Sequence, residues 1–135
     1  ENDAIETAIP YSDSFWIGLQ CLNEKLVWSD GSTVDFLNHA YPCDSIYVSY
    51  YFNSGSWEEL SVQAREHFLC QAAAPSTTTT AAPGVTGSAC GFGYTLIDDG
   101  TGTCVRIGTN QTTWTEAEAD CQLDGGHLAS VHSKR

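Results

Sequence analysis

Six cysteines, four histidines and a scatter of carboxylates are the side chains of this 135-residue chain that could do chemistry. No Cys-x-x-Cys pair exists, and His39, His67, His127 and His132 do not stand at ligand spacing with the cysteines, which argues against structural zinc. The even cysteine count instead reads as a disulfide framework built in an oxidising compartment. No Ser, His and acid constellation and no Cys and His pair can be justified from spacing, so the chain is expected not to be an enzyme. His127 and His132, five apart, would face opposite sides of a strand and cannot clamp one ion. Asn110-Gln111-Thr112 is an N-glycosylation sequon and agrees with a secreted or extracellular protein.

Charge removes further classes. With 17 acidic residues against five basic and a formal charge of -12, the surface repels nucleic-acid phosphates and anionic lipid headgroups. No stretch approaches the roughly 20 apolar residues needed to span a bilayer. Glu1-Asn2-Asp3 does not open a signal peptide, so a secretion signal is expected to lie outside this sequence. A hydrophobic content of 41% supplies one core and hardly two.

The elements that must position these side chains fall into two blocks. Residues 71–89, QAAAPSTTTTAAPGVTGSA, carry no charge and no aromatic ring and read as a linker, either an O-glycosylated stalk or a plain tether. Before it, Ile5, Ala8 and Ile9 stand at helical spacing until Pro10. Strand-like runs follow at 15–19, 26–28 and 46–52, with turns at Ser29-Asp30-Gly31-Ser32 and Asn53-Ser54-Gly55, and Phe68-Leu69-Cys70 reads as a last buried strand. After the linker, runs 94–97 and 103–107 flank a Gly-rich turn and read as a hairpin bracketed by Cys90 and Cys104. Thr113-Trp114-Thr115-Glu116 fits a capping box that opens a helix whose buried face is Trp114, Ala117 and Cys121, ended by Gly125-Gly126. Ser133 and Glu1 would form a second capping box if Arg135 were joined to Glu1. The ends then read continuously as strand, helix and strand.

These motifs together resemble the C-type lectin-like domain family, in its long form, with its two halves in reversed order. Trp114-x-x-Ala117-x-x-x-Cys121 and Gly125-Gly126-His127-Leu128-Ala129-Ser130 look like the family's first helix and following strand. Phe15-Trp16-Ile17-Gly18-Leu19 looks like its central strand, Trp28-Ser29-Asp30-Gly31-Ser32 like the turn opening its long loop, and Trp57 with Phe68-Leu69-Cys70 like its last strands. The resemblance covers everything except residues 71–89. It implies an α+β fold, two helices flanking antiparallel β-sheets, disulfide-stapled and circularly permuted. Residues 1–70 would be the C-terminal part of such a domain and residues 90–135 the N-terminal part. The chain is then a slice through a tandem array with neighbouring domains of the same type, a true permutant, or a product cut after Lys134-Arg135. A 19-residue coil spans about 24 Å, enough to close the permuted form.

The resemblance pairs Cys70 with Cys121 and Cys90 with Cys104. The family's other loop bridge would need cysteines near Val48 and Val62, which are absent, so Cys21 and Cys43 remain as the third pair. Family members that bind sugar hold calcium with Glu-Pro-Asn or Gln-Pro-Asp in the long loop and with an Asn-Asp after the late Trp. Here residues 32–42 read STVDFLNHAYP, and Glu58 and Glu59 follow Trp57. Calcium needs about six to eight oxygens, and Asp35, Asn38, Asp44 and Glu59 make a degraded set, so no metal or other cofactor is expected. The alternatives are a calcium-dependent carbohydrate-binding lectin and a protein-protein interaction or structural module. The expected function is an extracellular recognition module for a glycan or glycoprotein, with Asp35, Asn38, His39, Tyr41, Glu58 and Glu59 as ligand-binding residues. Phe36, Tyr47, Tyr50, Tyr51 and Phe52 add aromatic faces suited to sugar stacking or protein contact. About half of such a set should face inward on a sheet.

Overall fold

Five consecutive buried residues on a strand demand cover on both faces, and residues 15–19 of β1 (Ser14–Leu22) are all buried. The computed structural model describes residues 5, 14–37, 43, 47–51, 57–61, 63–73, 90, 93–97 and 102–132. β1 turns back through Asn23 and Glu24, both at positive φ (50° and 62°), into β2 (Lys25–Trp28), with Leu22 opposite Lys25 and Leu19 opposite Trp28. β3 (Tyr47–Tyr51) lies antiparallel to β1, and β4 (Trp57–Leu60) antiparallel to β3. β5 (Glu66–Ala73) runs parallel to β1, pairing His67 with Phe15 and Phe68 with Trp16. After the linker, β6 (Thr95–Leu96) and β7 (Thr103–Thr112) form the expected hairpin, and β7 pairs antiparallel with β5. The helix α1 (Trp114–Leu123) and β8 (His127–Leu128, on β5) complete the described fold. The strand order is β4-β3-β1-β5-β7-β6, with β2 and β8 paired off that path.

The sheet-rich, disulfide-stapled α+β character agrees with the sequence reading, and two details differ. The sheet is mixed, because the chain returns to β1 only after the β2–β4 excursion and lays β5 beside it in the same direction. The linker boundary moves as well: Gln71, Ala72 and Ala73 continue β5, opposite Val105, Cys104 and Thr103. Their composition is poor for a strand, and pairing with β7 overrides it.

Both buried clusters draw on both sides of the linker. One gathers Phe15, Ile17, Leu19, Trp28, Trp57 and Leu69 with Ile97, Val105, Ala129 and Val131. The other gathers Trp16, Phe68 and Cys70 with Trp114, Ala117, Cys121 and Leu128. Alternation along β1 sends Phe15, Ile17 and Leu19 to the first and Trp16 to the second. The disulfides are Cys21–Cys43, Cys70–Cys121 and Cys90–Cys104, the same three pairs expected above, and only the second joins the two blocks. Ile5 is helical and 2% exposed; the rest of the first helical pattern, the Ser133–Glu1 capping box and the Asn53-Ser54-Gly55 turn lie outside the described residues.

Local chemistry sets the helix. The Thr113 hydroxyl accepts from the Glu116 N–H (3.4 Å) and the Glu116 carboxylate accepts from the Thr113 N–H (3.1 Å), completing the capping box. At the other end the N–H groups of Gly126 and Gly125 donate to the carbonyls of Cys121 and Gln122, with Gly125 at φ +81°. The Trp114 indole donates to the Ile17 carbonyl (2.8 Å), seating α1 on β1. Sequence patterning missed Glu118, only 8% exposed, whose carboxylate accepts from the Leu128 N–H (2.8 Å) and Gln122 (3.1 Å) and contacts His127 Nδ1 at 2.5 Å. Among the described residues no helix is long and apolar enough to cross a membrane.

Candidate functional site

The loop that leaves β2 is anchored at its first turn. Gly31 N–H donates to the Trp28 carbonyl (3.0 Å) with Gly31 at φ +78°, so residue 30 projects beside the end of β8. There Asp30 is the hub. One carboxylate oxygen accepts from the Ser32 N–H (2.9 Å) and hydroxyl (2.5 Å); the other accepts from Gln71 Nε2 (2.9 Å) and the Ser130 hydroxyl (2.7 Å). Gln71 also donates to Ser130 Oγ (2.8 Å) and accepts from the Ser130 N–H (3.1 Å). Burial pushes the Asp30 carboxyl up, but these hydrogen bonds and the nearby His132 outweigh it and hold it below the usual aspartate range.

His132 joins the same network. Its Nδ1 lies 2.7 Å from Asp35 Oδ1, and its Nε2 lies 3.0 Å from Ser130 Oγ and 3.1 Å from Ser32 Oγ. These are the distances of a Ser, His and acid triad, which spacing alone had not suggested. The proton placement differs from that of a triad, because both hydroxyls donate to Asp30 and neither offers its proton to the imidazole. Ser130 is also 5% exposed, which closes it to a substrate carbonyl. The arrangement pins the loop to β8 and β5 and does not build an activated nucleophile.

Beside the polar network stands an aromatic one. The rings of Trp28 and Trp57 meet edge to face at 5.8 Å, Phe36 and Trp57 at 5.6 Å, and Trp28 and His132 at 5.9 Å. Phe36 therefore faces inward, tying residues 31–37 to the start of β4 and bringing Asp35 to the same end of the fold as Glu58 and Glu59.

Of the expected ligand-binding residues, Asp35 is exposed and bound to His132. Glu58 and Glu59 are consecutive on β4, opposite Ser49 and Val48, so they project to opposite faces and do not converge. Asn38, His39 and Tyr41, with Asp44 and Phe52, lie outside the described residues. Tyr47, Tyr50 and Tyr51 belong to β3. Among the described residues no group of three or more His, Cys, Asp or Glu could hold a metal ion, the Asp30 oxygens are occupied by four donors, and Asp35 is bound to His132. Sequence reasoning missed Gln71, Ser130 and His132, and took Asp30 and Ser32 only as turn formers. The available signal was the Asx-type pair Asp30 and Ser32; its distant partners carry no local pattern.

No family model matches the chain, and no solved structure matches it.

Proposed function

We propose that the chain is an extracellular, non-catalytic recognition module of the C-type lectin-like type, with its halves in reversed order. It binds a glycan or glycoprotein through the loop that follows Trp28 and the adjoining β4, without the family's usual calcium site. In a longer protein it stands as one unit beside neighbouring domains of the same type. The observation that carries the reading is the Cys70–Cys121 bridge between β5 and α1, formed across the linker while both blocks share one sheet and two buried clusters. Cys90–Cys104 on the β6–β7 hairpin adds to it. Three disulfides and the sequon favour an extracellular setting. An acidic, loop-borne surface beside buried tryptophans suits recognition, since positioned loops on a rigid sheet are where binding concentrates.

Calcium linkage separates this reading from a calcium-dependent lectin. A protein that binds calcium in its folded state gains stability as free calcium rises. The expected result is one melting curve in calcium and in chelator, with retention on immobilised glycan or glycoprotein unchanged by chelator. A melting shift of several degrees with calcium-dependent retention would overturn the site assignment.

A further inference from the structure

We infer that Asn110 is an N-glycan attachment site that is filled before the chain folds and cannot be filled afterwards. The inference rests on the extracellular reading above and concerns residues that reading does not use.

The ladder between β5 and β7 breaks around the sequon. Glu66 pairs with Thr112 and Phe68 with Gly108, so residues 109–111 stand opposite His67 alone. The three are exposed, and Asn110 sits at the centre of the bulge. On the side of β7 away from β5, β6 pairs only with Val105 and Cys104, and no other described strand covers residues 106–112. A bulky substituent on Asn110 therefore displaces no described contact of the fold. It also lies near Thr112, whose carbonyl accepts from the Trp16 indole (2.8 Å) at the Ser14 end of β1. The loop anchored at Ser29 and Asp30 meets the middle of β1, at Gly18 and Leu19. Trp16 and Gly18 are two residues apart, roughly 7 Å along β1, while β4 is separated from β7 by β3, β1 and β5, so Asn110 stands across the sheet from β4.

Thr112 fixes the timing. Its hydroxyl is buried without a hydrogen-bond partner in the folded protein, and the transfer reaction reads the Asn carboxamide and the Thr hydroxyl together. In the transfer, Asn110 Nδ2 bonds to the anomeric carbon of a lipid-diphosphate-linked oligosaccharide. The anomeric carbon–oxygen bond breaks, the lipid diphosphate leaves, and Nδ2 gives up one proton. Folding buries Thr112 Oγ1, so acceptance must precede docking of β7.

The test supplies a cleavable signal sequence and translates the chain in the presence of microsomes, so that it does not depend on natural secretion or on ligand binding. The expected product is protease-protected, with a single upward mobility step removed by endoglycosidase and lost in both Asn110→Gln and Thr112→Ala. Offered to permeabilised microsomes after synthesis, the reduced and alkylated chain should accept glycan, and the oxidised, folded chain should not. A protected product without the step, or a step that persists in Asn110→Gln, would overturn the site; equal acceptance by folded and unfolded chains would overturn the timing. Neither outcome bears on whether the loop recognises a ligand, which the chelator experiment addresses separately.

Discussion

Asp30 carries more of the site than its place in a turn implies. Four donors converge on one partly buried carboxylate, from its own turn (Ser32), from β5 (Gln71) and from the segment after β8 (Ser130). Asp30→Asn keeps the shape but turns one acceptor into a donor facing donors, and should cost about 2 kcal/mol in denaturant unfolding. The sign of the pH dependence follows from the carboxyl being held below its ordinary value in the fold. Its stabilisation is present above the unfolded aspartate range and is lost as pH falls through the folded value. The wild-type protein should therefore lose more stability than Asp30→Asn on acidification below about pH 4, measured as the difference between their unfolding midpoints. Equal acid sensitivity would show that Asp30 contributes nothing through its charge. At this scale the sequence disclosed residue types and not partners: Asp30 and Ser130 are 100 positions apart, and only the folded sheet brings them together.

Individual elements were more legible, because helices and hairpins are set by neighbours in sequence. The capping box at Thr113, the buried face of α1 and the glycine exit all follow from spacings of three or four residues. The β1–β2 turn was missed because Asn23-Glu24 lacks the glycine that usually marks two residues at positive φ. Glu24 pays for that conformation, and Glu24→Gly should raise stability by about 1 kcal/mol if the turn is as described. Gly18 is the converse case. A Cβ there would stand 2.6 Å from Ser29 Oγ and 2.7 Å from the Leu128 carbonyl oxygen, where Gly18 also exchanges backbone hydrogen bonds with Ala129 and Ser29. Gly18→Ala should cost about 2 kcal/mol by forcing β1 away from β8. It should also loosen the Asp30 network next to it, visible as faster amide exchange at Ser130. The parallel meeting of β1 and β5 had no local signal at all, since it depends on where a long excursion returns the chain.

For the whole molecule, the account stands on two blocks separated by a linker folding as one unit, in the reversed order that the C-type lectin-like resemblance requires. Two of the three disulfides lie within a block and are compatible with blocks that fold apart. Cys70–Cys121 is different, because β5 supplies one sulfur and α1 the other, and both are fully buried in a cluster drawn from both blocks. The most direct test is non-reducing peptide mapping of the oxidised monomer. The account predicts a peptide pair joining Cys70 to Cys121 within one chain, with Cys21 joined to Cys43 and Cys90 to Cys104. Cys70 bridged to Cys21 or Cys43, with Cys121 bridged within residues 90–135, would contradict it.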